Sequence, residues 1–135
     1  MNLVPWRRVA LVMLLAVLAA CQPDERTARG VAERFIDQHY VQIDLEAAKP
    51  FCTGLALKKV QEEQRLTEGQ HIDESTRKPT VRYRLIDTQD DAEHTSFVYE
   101  ATIHVDDAGK FTRRWIISAR REGSVWKVSN FEEFD

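Results

Sequence analysis

Cysteine, proline and glycine are all scarce in this 135-residue chain, at 2, 4 and 5 residues. Two cysteines cannot build the disulfide framework of a small secreted scaffold. So little proline and glycine excludes collagen-like and low-complexity chains. Basic charge is not in excess either: 19 Lys and Arg stand against 22 Asp and Glu, a net charge of −3. That balance lacks the electrostatic footprint of a nucleic-acid binder and the means for unspecific adhesion to anionic lipid. No phosphate-cradling glycine loop, nucleophile elbow or CxxC occurs. The four histidines, His39, His71, His94 and His104, form no pair at metal-ligand spacing. "DTQDDAEH" and "HVDD" read as solvated turns, so neither a metal nor a cofactor is expected.

What the chain does have is 43% hydrophobic residues with 30% charge, the composition of one globular domain. Its N-terminus is tripartite. "MNLVPWRR" carries Arg7 and Arg8, and "VALVMLLAVLAA" (Val9–Ala20) is uncharged and apolar. That segment of about 12 residues is shorter than the roughly 20 that span a bilayer, but suits a signal-peptide core. A core helix of a folded domain would show a polar face, and this segment has none. Paired arginines also open twin-arginine signals, but they are common in ordinary ones, so the general secretory route is expected.

Leu18-Ala19-Ala20-Cys21 resembles the lipobox of bacterial lipoproteins: an aliphatic residue, two small residues, then cysteine. The resemblance implies a diacylglyceryl group on Cys21, cleavage before it, and fatty acylation, such as by palmitate, of the new amino group. Two or more acyl chains anchor stably where one holds marginally. Gln22 stands where an Asp would favour the inner membrane. The implied address is therefore the outer membrane, facing the periplasm. Residues 1–20 are then signal peptide, 21–26 a lipidated tether and 27–135 the domain. Without residues 1–20 the chain holds 17 basic and 22 acidic residues, a net charge of −5.

With Cys21 lipidated, Cys52 has no intramolecular partner. It is either a reactive or intermolecular thiol or a buried small apolar residue, and its neighbours Phe51 and Leu55 favour the second. Asp24 or Thr27 caps a helix running to about Ile43, with Ala28, Val31, Ala32, Phe35 and His39 on one stripe. Glu33, Arg34, Asp37 and Gln38 face elsewhere. Asp44 caps a second, short helix that Pro50 cannot continue. A third helix spans residues 54–67, with Thr53 as a candidate cap and Leu55, Val60 and Leu66 inward.

From Thr80 the pattern alternates with period two. Val81, Tyr83 and Leu85 share a face, as do Phe97, Tyr99, Ala101, Ile103 and Val105, and Phe111, Trp115, Ile117 and Ala119. "DDAGK" reads as a turn with Gly109 left-handed, which sets Ala101 opposite Trp115 and Tyr99 opposite Ile117. A Glu122-Gly123 turn would then set Trp126 opposite Ala119 and Val128 opposite Ile117. The other sheet face is mixed, with Val98, Glu100, Thr102, His104, Arg114 and Ser118.

Helices followed by antiparallel strands make an α+β domain with the helices packed on one face of the sheet. This order, and the closing "GSVWKVSNFEE", resembles the cone-shaped family of nuclear transport factor two and ketosteroid isomerase. A cystatin-like sheet is the alternative. The resemblance implies a pocket between the helices and a curved sheet, which enzymes of that family equip with an internal acid-base group. His39, Tyr83, Tyr99, Arg113 and Trp115 are the candidate pocket residues. No inward carboxylate is expected on the apolar sheet face. Arg113, Arg114, Arg120 and Arg121 could meet an anionic partner, although edge and surface strands often carry charge for solubility.

The expected function is a membrane-anchored, non-catalytic binding or interaction module, with an isomerase- or lyase-like enzyme as the alternative. Expected partners are the membrane, through the anchor, and an envelope protein or a small apolar ligand. The chain is expected to be a monomer or weak homodimer. Replacing Cys21 by Ser should move the protein from the membrane to the soluble fraction and stop signal-peptide processing. Fractionation and a mobility shift read both effects. Unchanged attachment and processing would refute lipidation.

Overall fold

Residues 23–70, 78–91 and 93–135 are described in the computed structural model of the chain. The expected signal peptide, the lipobox-like motif with Cys21, and His71 therefore lie outside the described residues. Helix α1 (Ala28–Ile36) starts at Thr27, whose side chain accepts the Gly30 N–H at 2.9 Å. Asp24 supports this cap from outside, its carbonyl accepting both the Thr27 N–H and hydroxyl. The expected apolar stripe is buried: Val31, Ala32, Phe35 and His39 all face the core, joined by Ile36. A Cβ at Gly30 would collide with the Asp24 carbonyl, so this glycine is present for close approach.

The α-helix ends at Ile36, earlier than the expected Ile43, and continues as a single π-helical stretch, Asp37–Val41. Asp44 caps α2 (Leu45–Ala48) through the Ala47 N–H at 3.0 Å, and the chain then tightens into a 3₁₀ turn, Lys49–Phe51, containing Pro50. Cys52 is buried, its thiol donating to the Ala48 carbonyl at 3.3 Å. Burial pushes the thiol up to about 12, so at neutral pH it is a small protonated core group.

Helix α3 (Gly54–Leu66) departs from expectation on two counts. Thr53 makes no capping bond, because its hydroxyl donates to the Glu122 carboxylate at 2.7 Å. Leu55 and Leu66 are 51% and 65% exposed, while Ala56 and Val60 are the buried pair. Leu55, Val60 and Leu66 are spaced by five and six residues, which scatters them around a helix with 3.6 residues per turn.

Strands β1 (Thr80–Asp90), β2 (His94–Val105), β3 (Gly109–Glu122) and β4 (Val125–Phe134) form one antiparallel meander in the order β1-β2-β3-β4. The faces are those the alternation demands: Phe97, Tyr99, Ala101, Trp115, Ile117 and Ala119 are buried beneath the helices. The registers differ from expectation. Val105 pairs with Gly109, Tyr99 with Trp115 and Ala101 with Arg113, a slip of two residues. Both Asp107 and Gly109 take positive φ (71° and 94°), which closes the hairpin one residue earlier on β2. A slip of two keeps every side chain on its face, so the hydrophobic pattern alone cannot detect it.

The β3–β4 turn is Gly123-Ser124 rather than Glu122-Gly123, and Ala119 pairs with Val128. Beyond it the register shifts, so that Ser118 meets Asn130 and Ile117 meets Phe131. Ser129 is the extra residue of this β-bulge, and it reverses the phase of β4. Val128 and Phe131, three apart, thereby both reach the core. A second bulge at Ile86 interrupts β1. The outer edge of β4 is covered at one point, where the Thr53 N–H bonds the Val128 carbonyl at 2.8 Å.

In a helix interior, Gly→Ala ordinarily gains about 1 kcal/mol. At position 30 the sign should reverse. Gly30→Ala should lower the urea midpoint of the domain, and a raised midpoint would contradict the close contact with Asp24.

Candidate functional site

The π-helical stretch Asp37–Val41 organises the polar groups of the interior. Such stretches insert one extra residue per turn and are frequent at functional sites. Here the widened turn sends Asp37, His39 and Tyr40 to three different partners. Asp37, expected to face outward, accepts the Tyr83 hydroxyl at 2.6 Å. His39 donates its Nε2 hydrogen to the Glu63 carboxylate of α3 at 2.8 Å. Tyr40 stacks on Trp115, with ring centroids 4.0 Å apart and planes 11° from parallel.

His39 is 8% exposed, stacked against Phe35 and flanked by Tyr40 and Phe131. Its Nδ1 is buried without a hydrogen-bond partner. One ring nitrogen is thus tied to Glu63, and the other is buried. Use of Nε2 as an acid or base would require the Glu63 bond to give way.

The structure brings together Tyr83, Tyr99 and Trp115. Tyr83 meets Tyr99 edge-on at 5.6 Å, and Trp115 lies 6.2 Å from Tyr83. His39 reaches this group only through Tyr40. Arg113 sits apart at the rim, paired with Asp135 and, at 3.9 Å, with Glu133. Tyr99 and Trp115 are fully buried, and the Tyr99 hydroxyl and Trp115 Nε1 have no hydrogen-bond partner among the described residues. The inner face of the sheet is filled by these side chains.

The expectation of no inward carboxylate needs correction. Glu133 pairs across the sheet with Trp115 and so occupies the inner face, at its rim. The Ser129 bulge put it there by reversing the phase of β4. Sequence reasoning also passed over Tyr40, Glu63 and Lys59. Glu63 had a signal, since it lies three and seven residues after the buried Val60 and Ala56. Lys59 anchors α3 to β4, donating to Asn130 Oδ1 at 2.8 Å and the Phe131 carbonyl at 2.7 Å.

Two open grooves flank the His39–Glu63 pair, which lines both. One, of about 760 Å³, runs between the Gln42–Glu46 turn and the end of α3 at Leu66. The other, of about 540 Å³, lies between Lys59 and the Phe131–Phe134 end of β4. Neither is lined by Tyr83, Tyr99, Arg113 or Trp115. Ile43, in the wall of the larger groove, has a φ of 55°, a strained conformation for a β-branched residue. Among the described residues no group of three or more His, Cys, Asp or Glu could hold a metal ion, and no helix is long and apolar enough to cross a membrane.

No protein-family model and no curated protein matches the sequence. Solved structures do match. A protein from Thiobacillus denitrificans, described as a calcium/calmodulin-dependent protein kinase type II association domain, is 12% identical, with 79% of this chain and 93% of that one covered and a TM-score of 0.60. A substituted variant of a protein named Rd1NTF2 is 8% identical over 78% and 95% of the two chains, with a TM-score of 0.58. A ketosteroid isomerase-like protein from Catenulispora acidiphila, solved with trimethylamine, is 7% identical over 81% and 87%, with a TM-score of 0.50. The domain therefore has the fold of nuclear transport factor two and ketosteroid isomerase: helices on one face of a curved four-stranded antiparallel sheet. At such identities the likeness defines the fold alone.

Burial raises Tyr40, Tyr83 and Tyr99 well above the ordinary phenol value of 10.0, with Glu133 and Glu63 adding to the effect at Tyr40 and the Asp37 bond at Tyr83. These are all three tyrosines of the chain. A phenol raised on folding contributes stability that is complete below its unfolded value and is lost as the pH climbs above it. Tyrosinate absorbance should therefore appear only together with loss of far-ultraviolet circular dichroism. A tyrosinate step near pH 10 in the folded protein would contradict this burial.

Proposed function

We propose that this chain is a lipid-anchored protein of the bacterial cell envelope, in the outer membrane and facing the periplasm. Its folded domain acts there as a non-catalytic binding or interaction module. The Leu18–Cys21 motif and Gln22 support the address. The observation that carries the non-catalytic reading is the filled interior. Trp115, Tyr99 and Phe35 occupy the space beneath the helices, while His39 has Nδ1 buried and Nε2 tied to Glu63. Binding then takes place at the mouth, in the grooves that share His39 and Glu63.

A second reading has those same grooves take a small ligand or substrate, with His39 as the working group. It is favoured by the openness of both grooves onto the pair and by the strain held at Ile43. The Catenulispora acidiphila neighbour was solved with trimethylamine, so a small molecule can be accommodated on this fold.

Extraction in a neutral detergent separates the two. The interaction module should emerge as an assembly larger than the monomer. Glu63→Lys, which reverses the charge of the groove wall, should dissociate that assembly. Lys58→Glu, on the exposed side of α3, should leave it intact. A monomer in the wild type, or an assembly indifferent to Glu63→Lys, would overturn the interaction reading.

A further inference from the structure

The outer face of the sheet, turned away from the helices, carries charge arranged in cross-strand rows. Thr80, His104 and Lys110 stand side by side on β1, β2 and β3, because Thr80 pairs with His104 and His104 with Lys110. The next row is Arg82, Thr102 and Thr112 by the same registers. Five of these six side chains line one depression of about 390 Å³ on the sheet surface.

Among the described residues no carboxylate bonds Arg82 or Lys110, the two cations of these rows, or the His104 ring between them. The contrast lies one row further on, where Glu100 of β2 accepts from Arg84 of β1 at 2.9 Å. On β3, Arg113 meets Asp135, Arg120 meets Glu122 and Arg121 the Gly123 carbonyl, while Arg114 stands opposite Glu100 in the row of that pair. A chain with net negative charge thus concentrates unneutralised donors in one concave spot. Arginine offers a planar fork of N–H groups that matches an oxyanion, and lysine adds a compact charge. The flanking threonine hydroxyls donate as well.

We infer that the Arg82–His104–Lys110 depression binds a phosphate group. This site lies on the opposite face of the sheet from the His39–Glu63 grooves and is independent of the reading given to them. Its ligand is a phosphate oxyanion, from either a soluble phosphorylated compound or a phospholipid headgroup.

Lys110 reports occupancy through its own chemistry, because a bound anion shields its amine from acylation. The full-length chain in neutral detergent is treated with acetic anhydride, with and without inorganic phosphate, at ionic strength matched by chloride. Mass spectrometry reads Lys110 against exposed Lys58. Phosphate should slow acylation of Lys110 saturably while leaving Lys58 unchanged. Loss of one charge-assisted donor in Arg82→Gln should raise the half-protecting concentration about tenfold. Reconstitution into phosphatidylcholine or phosphatidylglycerol vesicles without added phosphate then separates the sources. Protection in either vesicle without added phosphate identifies a lipid headgroup, and protection only by dissolved phosphate identifies a soluble ligand. Lys110 reactivity indifferent to both, or protection unaltered by Arg82→Gln, would overturn the site.

Discussion

The stack of Tyr40 on Trp115 is the contact on which the rest of this domain depends. Trp115 is the largest side chain of the inner sheet face and is fully buried. Aromatic side chains bury 150–250 Å² each and dominate core energetics. A cone with an indole at its centre must be closed over it by something flat. Tyr40 does this, and it can do so only because the helix widens at Asp37–Val41. The same widening hands Asp37 to Tyr83 and His39 to Glu63, so the packing of one ring sets the polar partners of two others. The filled interior and the polar mouth share this one cause.

The bulge at Ser129 is the counterpart on the sheet. Without it, β4 would continue the phase of Val128 and place Asn130 toward the core. With it, Phe131 packs against Phe35 and His39, and Glu133 comes round to the inner rim. The carboxylates near the mouth therefore derive from a helix and from a phase-shifted strand end, not from the regular part of the sheet. Lys59 holds this arrangement by reaching the Asn130 side chain and the Phe131 carbonyl from α3.

The two faces of the sheet divide the chemistry. The inner face is aromatic and sealed, and the grooves lined by His39 and Glu63 lie at its margin. The outer face is exposed, and cross-strand register separates the row that holds the Arg84–Glu100 pair from the two rows whose cations meet no carboxylate among the described residues. A net charge of −3 hides this sorting, because composition counts charges without placing them.

By itself the sequence determined what depends on local periodicity: a capped α1 beginning at Asp24 or Thr27, the two-residue alternation of the strands, and the buried faces around Trp115 and Tyr99. The α+β order and its likeness to the nuclear transport factor two fold follow from the same patterns. His39 was legible as a polar member of an apolar stripe. Its partner Glu63 was not named, although its spacing from Val60 was in view. Tertiary structure alone decided the registers, since a slip of two residues preserves every face. It alone decided the π-helical widening and the Ser129 bulge, where one added residue changes which side chains meet. Leu55 and Leu66 make the same point in reverse: apolar residues stay in water when the helix turns another stripe to the core. Periodicity says which residues can share a face, and only packing says which face is used and what stands opposite.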